Sequence, residues 1–505
     1  MAEDGSVYVT GSFKDFICFD TLCFPAASPD NSDIFLAKYD SVGVLQWAKV
    51  LGGGGVDQGK ALALDSQGNV FLGAGFSGPL QIDSFVINPF DPNLYPFGSS
   101  EIIVAKFSFD GKCLSVYHPG GSRGAALLDV CIDYQDNLTI VGQSISDTLW
   151  FGHHFTVKNA RSALDMFLVK YNKNQKFIFA KNFPVYYHGI NYLTLTSNYN
   201  GDILVAGQSG DSISIDSFVL SEGTSFQQFL ISWDSLGNHR WSETFRSLNI
   251  HGLNIDEKNN IYFSGNFTEE EFFDTLRIAG ANSYFLTKYN SLGKVQWVRR
   301  SYTGIPGWMN LFYNRGQVYI IASFSGSMVV ENHTFSSPHE ENILIVRYDT
   351  TGGLIWVRTT GEPSLYWYLA IQGNETGDLT IGGMFNYNKT SFDDYFIQNS
   401  FPGYMEPFIA QFHRDSLPPL PQPPAEWKVY PNPFEDHIFL WGDFLQGVLE
   451  LSLYDLSGRE VWKTQMLVED TIFPLRVSVP VLPGGFYLLR IGQRGKEIVK
   501  KMVRV

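Results

Sequence analysis

Charged side chains are scarce in this chain, at 17% of its 505 residues, and cysteine occurs only four times. Four cysteines cannot make a disulfide framework, so the fold has to rest on a buried core. A chain of this length has enough material for more than one such core. Basic residues are also in the minority: 36 Lys and Arg stand against 51 Asp and Glu, for a formal net charge of -15. This argues against a nucleic-acid partner, whose binding depends on basic side chains neutralising phosphates. No apolar run reaches the ~20 residues that a membrane helix needs. The first thirty residues hold no basic segment followed by an apolar core, so an export signal is absent from the sequence as it stands. Catalytic signatures are sparse too: there is no H-E-x-x-H, phosphate loop or C-x-x-C, and GGSRG at 120 to 124, which has the G-x-S-x-G spacing, opens no helix. No cofactor, metal or catalytic residue is therefore assigned.

What the chain has in quantity is aromatic residues, at 15%, and 48 glycines, a composition that suits pleated strands and tight turns. An all-β fold is expected, and an internal repeat sharpens the expectation. IFLAKYDSVGVLQWAKV at 34 to 50 returns as YFLTKYNSLGKVQWVRR at 284 to 300. Equivalents of Lys38 follow at Lys106, Lys170, Ser232, Lys288, Arg347 and Gln411, 56 to 68 residues apart, which gives seven copies. Nine residues after the anchor stand Trp47, Trp241, Trp297 and Trp356, with Phe179 and Ser115 as weaker versions. A second run, VYVTGSF in the first copy, always has a small fifth residue: Gly11, Ala74, Gly142, Gly207, Gly265, Ala322 or Gly383. That position implies crowding by a neighbouring sheet.

Each copy thus reads as four strands, A to D, and seven four-stranded copies predict a seven-bladed β-propeller over residues 1–416. The first copy begins at strand B and the seventh ends after strand C. The expectation is that Met1 is not the biological start, or that the ring stays open between blades 7 and 1. The copies resemble the bacterial β-propeller repeat family of secreted and surface proteins. The match lies in a strand ending in Gly, in FLAKYD, in the Trp-bearing strand and in GGGGVDQG at 52 to 59.

In such a blade the A–B and C–D turns share one face of the ring and the B–C and D–A connections share the other. The first set is short and polar, and the second is long. A glycan or protein ligand is therefore expected on the B–C/D–A face. The B–C insertions ICFDTLCF, LQIDSFVI, SISIDSFVL, EEFFDTLRI and TSFDDYFI read as small hairpins, whose turns begin at Asp20, Asp83, Asp216, Asp274 and Asp393. In the first of them a two-residue loop sets Cys18 opposite Cys23, which leaves a cross-strand disulfide and two free thiols as alternatives. Export would favour the disulfide. Cys113 and Cys131 read as buried small apolar residues. His153 and His154 fall where other copies carry turn residues, and no third metal ligand accompanies them. The acidic clusters Asp393–Asp394 and Glu269–Glu271 read as solvated loop charge, with glycosidase work as the rival reading.

Five prolines between 418 and 424 make a linker of 417–426. Beyond it the charge balance changes: residues 427–505 hold 10 Lys and Arg and 9 Asp and Glu, leaving 26 and 42 for residues 1–426. YPNPF at 430 to 434, LYDLSGREV, LPGGFYLLRI and the terminal GKEIVKKMVRV resemble, in order and position, the type A C-terminal sorting domain of the Bacteroidetes type IX secretion system. Tyr430, Pro431, Asn432 and Pro433 match its opening turn, and Asp455, Gly458 and Arg459 match its D-x-x-G-R turn. Gly485 and Tyr487 match its G-x-Y strand, and Lys496, Lys500 and Lys501 its basic terminal strand. The resemblance implies an Ig-like β-sandwich, recognition by the outer-membrane translocon, and removal by a sortase-like peptidase. It also implies a secreted or cell-surface passenger. A binding or adhesion module is the expected function, with a secreted glycan lyase or hydrolase as the alternative.

Overall fold

The computed structural model describes residues 2–412 and 428–504, apart from single positions, short gaps and loop segments. The larger of these segments are 90–100, 152–155, 159–164, 184–192, 210–213, 220–226, 399–404, 431–436, 442–446 and 469–474. The described residues form strands and turns with no helix. Residues 7–412 build seven successive antiparallel units.

Unit 1 has strands B (Val7–Phe13), C (Asp33–Tyr39) and D (Leu45–Gly53). Unit 2 has A (Gln58–Leu64), B (Val70–Phe76), C (Glu101–Phe107) and D (Cys113–Tyr117). Unit 3 has A (Ala125–Ile132), B (Leu138–Ser144), C (Asp165–Tyr171) and D (Phe177–Phe183). Unit 4 has A (Leu193–Ser197), B (Ile203–Ser209), C (Gln227–Trp233) and D (His239–Phe245). Unit 5 has A (Leu248–Ile255), B (Ile261–Phe267), C (Ser283–Tyr289) and D (Val295–Tyr302). Unit 6 has longer strands A (Ile305–Asn314), B (Gln317–Val330), C (His333–Asp349) and D (Leu354–Ser364). Unit 7 has A (Tyr366–Gly373), B (Leu379–Phe385) and C (Glu406–Phe412). Within each unit neighbouring strands pair in chain order. Strand A of each unit packs against strand A of the next, and strand B of unit 1 takes that place against unit 2.

Alternation along the strands makes the core. Both faces of strands B and C are covered by neighbouring units, so VFLGAGF, IIVAK and DMFLVKY are buried almost throughout. Each large apolar side chain so buried contributes about 1.5–3 kcal/mol. The small fifth residue of strand B faces strand C of its own unit: Gly11 opposes Phe35, Gly142 Phe167, Gly207 Phe229, Gly265 Phe285 and Gly383 Phe408. Where the partner is Ile103 or Leu344, the small residue is Ala74 or Ala322. A Cβ on Gly11 would lie 2.8 Å from Phe35 Cε1, and one on Gly142 2.6 Å from Phe167 Cζ. The crowding thus comes from inside one sheet, from the strand C ring and, at Gly142 and Gly265, from the strand A carbonyls of Ala126 and Asn249, a correction to the expectation of a neighbouring sheet.

The Lys and Trp anchors are cross-strand partners that bind the next unit. Lys38 faces Trp47, Ser232 Trp241, Lys288 Trp297 and Arg347 Trp356. Lys38 Nζ and Trp47 Nε1 both donate to the Phe109 carbonyl in the C–D turn of unit 2, at 3.3 and 3.1 Å. Lys288 Nζ and Trp297 Nε1 do the same to Thr350 of unit 6, at 3.0 and 3.2 Å, and Trp241 Nε1 donates to Ser291 of unit 5 at 3.3 Å. The turn presents that carbonyl because Asp, Asn or, in unit 2, Ser108 begins it and a left-handed residue, usually Gly, closes it. In unit 5, Asn290 Oδ1 accepts from the Leu292 and Lys294 amides, and Gly293 has φ 73°. Trp356 Nε1 is buried without a partner; the corresponding turn of unit 7 falls after Phe412, outside the described residues.

Residues 428–504 form two sheets. One orders Lys428–Tyr430, His437–Trp441 and Leu475–Ser478; the other orders Glu460–Val468, Gly447–Tyr454, Gly485–Gln493 and Lys496–Arg504. They share one core in which Ile438, Leu440 and Val477 of the first meet Leu449, Leu451, Leu453, Leu489 and Ile491 of the second.

Candidate functional site

The B–C insertions fold as hairpins at one end of the units. Registers Phe19↔Leu22, Ile82↔Phe85, Ile215↔Phe218, Phe273↔Leu276 and Phe392↔Tyr395 each leave two residues for the loop. Asp83 and Asp274 begin their loops at φ 49° and 53°, the left-handed conformation that Asp tolerates better than most residues. Asp20, Asp216, Asp393, Asp394, His153 and His154 lie outside the described residues. Cys18 and Cys23 face each other with Cα atoms 4.1 Å apart and are joined as a disulfide. Cys113 is buried, and burial pushes its thiol up to about 11 and that of Cys131 to about 12, so both sulfurs stay protonated.

The D–A loops lock these hairpins in place. Gly52 and Gly53 of unit 1 pair with Gln81 and Leu80 of the unit 2 hairpin. Gly120 and Gly121 of unit 2 pair with Trp150 and Leu149 of unit 3, and Ser301 and Tyr302 of unit 5 pair with Val330 and Val329 of unit 6. One side of the unit 2, 3 and 6 hairpins is therefore held. Across the hairpins of units 1, 2, 3 and 5 apolar side chains stand in solvent: Phe16, Leu22, Val86, Trp150, Phe272 and Leu276 are 38–61% exposed. A cleft of about 640 Å³ opens between the unit 1 D–A loop and the unit 2 hairpin, lined among others by Asn31, Gly54, Gly55, Ser77 and Asn88. Among the described residues none that line it is titratable. Among the described residues no group of three or more His, Cys, Asp or Glu is arranged to hold a metal.

Two readings of the sequence need correction. Glu271 is not solvated loop charge: it is 8% exposed, and its Oε2 accepts the amides of Arg246 and Ser247 at 2.9 and 2.8 Å, holding the turn between units 4 and 5. Glu270 pairs with Arg277 on the surface. The face with short turns is not simply polar: Val42, Phe109, Leu236 and Leu292 stand at its C–D turns, 62–74% exposed. Tyr134 and Tyr199 stack on its A–B turns with ring centroids 3.7 Å apart.

In the C-terminal part, Asp455 Oδ1 accepts the amides of Ser457 and Arg459, Gly458 has φ 83°, and Arg459 Nε lies 3.3 Å from Asp455 Oδ2. This is the same turn that the preceding units use at their C–D corners. Tyr487 is buried and donates its hydroxyl to the Pro483 carbonyl at 2.7 Å. Lys496, Lys500 and Lys501 lie on the last strand, paired with Gln493, Leu489 and Leu488. Tyr430 pairs with Phe439, whereas Pro431, Asn432 and Pro433 lie outside the described residues.

Residues 428–505 match the secretion system C-terminal sorting domain. Such a tail directs a protein through the type IX system to the cell surface or the extracellular space. No curated protein matches the chain. Among solved structures, a Synechocystis apocarotenoid oxygenase variant is similar at TM-score 0.38 and 8% identity, over 81% of this chain and 92% of that one. The polysaccharide lyase Uly1 is similar at TM-score 0.39 and 9% identity, over 79% and 90%. No helix among the described residues is long and apolar enough to cross a membrane.

Proposed function

We propose that the chain is a Bacteroidetes-type export passenger: a seven-bladed propeller over 1–416, a spacer over 417–426 and an Ig-like sorting domain over 427–505. The propeller binds a glycan or protein through its hairpin face. Ring closure is supported by the contact between ends: a Cβ on Gly5, just ahead of unit 1, would lie 3.5 Å from Asn374 Nδ2 in the A–B turn of unit 7. The observation that carries the binding reading is the exposure of Phe16, Trp150 and Phe272 on the hairpins of units 1, 3 and 5, of which the Trp150 hairpin is paired with the preceding D–A loop. Rigidly held aromatic side chains offer contact area at low entropic cost.

The test is a glycan and protein array probed with the full-length chain, followed by affinity measurements on Phe16→Ala, Trp150→Ala and Phe272→Ala. A loss of about tenfold or more in at least one variant, with thermal midpoints unchanged, is expected. Unchanged affinity in all three would move the site to the opposite face, and release of shortened or unsaturated oligosaccharides would establish the enzyme reading.

A further inference from the structure

In units 2, 3, 5, 6 and 7 strand A slips by one residue in its register against strand B, so that an extra residue leaves the ladder. Such a bulge re-aims side chains. In unit 6 the slip lies between Pro306 and Met309, and in unit 7 between Trp367 and Ala370. These two bulges carry Trp308 and Tyr368, and strand A of unit 6 packs against strand A of unit 7. The two rings meet, with centroids 4.8 Å apart and planes inclined by 39°. Both lie in the first half of their strands, next to the D–A connections, and so stand at the hairpin end of the units.

The pair is held from beneath. Gly307 makes room for this, since a Cβ there would overlap Ser323 Oγ and lie 3.0 Å from Glu341 Oε1. The Trp308 amide donates to Ser323 Oγ at 3.0 Å, the Ser323 hydroxyl donates to the Glu341 carboxylate, and the Tyr366 amide donates to Glu341 Oε2 at 3.4 Å. One side chain from strand C of unit 6 thus ties both bulges. Trp308 rests on the core shared by units 6 and 7, whereas Tyr368 is 60% exposed. Tyr368 also has φ 55°, and every other described non-glycine residue in the left-handed region stands between strands, not within one. A bulky residue in that conformation is strained. Burial does not offset the strain, because most of the ring is in water.

We propose that Trp308 and Tyr368 form a stacking platform for a neutral sugar ring at the hairpin end of units 6 and 7. The platform rests on the hairpin face being the binding face, and it narrows the ligand to a glycan. A pyranose ring presents axial C–H groups on one face, apolar and weakly positive, and an aromatic ring offers the negative π surface that matches them. Two rings inclined to each other make a shallow trough in place of a flat patch. Two aromatic side chains supply at most about 500 Å² between them, less than the about 800 Å² a side that a stable protein partner covers. The formal charge of -15 disfavours a polyanionic glycan.

The experiment is calorimetric titration of the full-length chain with neutral hexasaccharides of β-linked glucose, mannose, xylose and N-acetylglucosamine, with hexagalacturonate as the acidic control. At least one neutral hexasaccharide binds, with a shift in tryptophan emission that Trp308→Phe abolishes. Trp308→Ala and Tyr368→Ala each weaken binding by about tenfold or more. Tyr368→Gly weakens it equally while the thermal midpoint holds or rises, since glycine relieves the left-handed strain. Absence of neutral binding, preference for the acidic hexamer, or affinity unchanged in both ring variants overturns the platform. A lowered midpoint in Tyr368→Gly marks the ring as structural and overturns it as well. Loss confined to Phe16→Ala, Trp150→Ala or Phe272→Ala overturns the platform and leaves the hairpin reading standing, as does a protein ligand in the absence of any oligosaccharide binding.

Discussion

Gly11 and Phe35 form a pair whose members set each other's size, and the other units repeat the rule. Gly stands opposite Phe, and Ala opposite Ile or Leu. Gly11→Ala is expected to cost roughly 1–3 kcal/mol, as overpacking of a close-packed core does. The double change Gly11→Ala with Phe35→Leu reproduces the pairing of unit 6 and recovers most of that loss. Urea denaturation of both variants measures the coupling, and additive losses would reject the pairing rule.

Buried acids act at the same scale. Burial pushes Asp57, Asp129, Glu243 and Glu331 up to about 7. For a group raised in the folded state, the stabilisation is complete below the unfolded value near 4 and is lost as pH climbs through the folded value. Stability should therefore fall between about pH 4 and 7. Asp129, whose carboxylate bridges the Val130 and Leu195 amides between units 3 and 4, supplies one share. Asp129→Asn should flatten the decline between pH 5 and pH 8 by on the order of 1–3 kcal/mol, read as the change in urea midpoint. An unchanged slope would count against a protonated Asp129.

At the level of strands, the anchor position ties strand C to the A–B turn of its own unit through charge, and reaches the next unit through a hydrogen bond. Lys170 Nζ lies 2.8 Å from Asp133 Oδ2 and donates to the Gly201 carbonyl of unit 4 at 2.7 Å, with both ionic side chains fully buried. Lys170→Met would strand the Asp133 charge and should destabilise by about 3–5 kcal/mol in equilibrium unfolding. Lys106→Met, whose ammonium pairs with Asp65 from a 21% exposed position, should cost clearly less. The Trp residues divide likewise. Trp297→Phe gives up a hydrogen bond to unit 6 worth about 1 kcal/mol, whereas Trp356→Phe removes a donor that has no acceptor and should be near neutral or stabilising. Equal effects at the two positions would contradict the docking role of the indole.

For the whole molecule the decisive feature is the tail. Removal of 428–505 in the native bacterium should leave the passenger in the periplasm. The same segment with its spacer, fused to an unrelated reporter, should carry that reporter to the surface. Cell fractionation and immunoblotting separate these outcomes, and export without the tail would refute the sorting role. Mature surface protein is expected to end within 417–426, a Pro-rich sequence of the kind that favours an extended backbone and suits a peptidase; intact mass spectrometry identifies the new C-terminus.

The primary structure determined a good deal by itself. Periodicity and spacing gave the seven repeats, because each strand pair needs the same ring, anchor and turn at the same distance along the chain. The four tail motifs were legible because they are turns and strand ends whose chemistry is local: Asp455, Gly458 and Arg459 make their contacts within five residues. The carboxylates of Asp33 and Asp57 were not legible, being 24 positions apart on different units. Asp57 read only as a letter of the repeat motif GGGGVDQG, and nothing in the sequence singled out Asp33. Only the tertiary structure decided that they meet, since the Gly52 backbone lets one carboxylate approach and burial by the next unit removes the water that would otherwise have served both. It likewise decided that the short-turn face carries exposed Val42, Phe109, Leu236 and Leu292. A turn's hydrogen bonds fix its backbone, but what covers its side chains depends on neighbours distant in the chain.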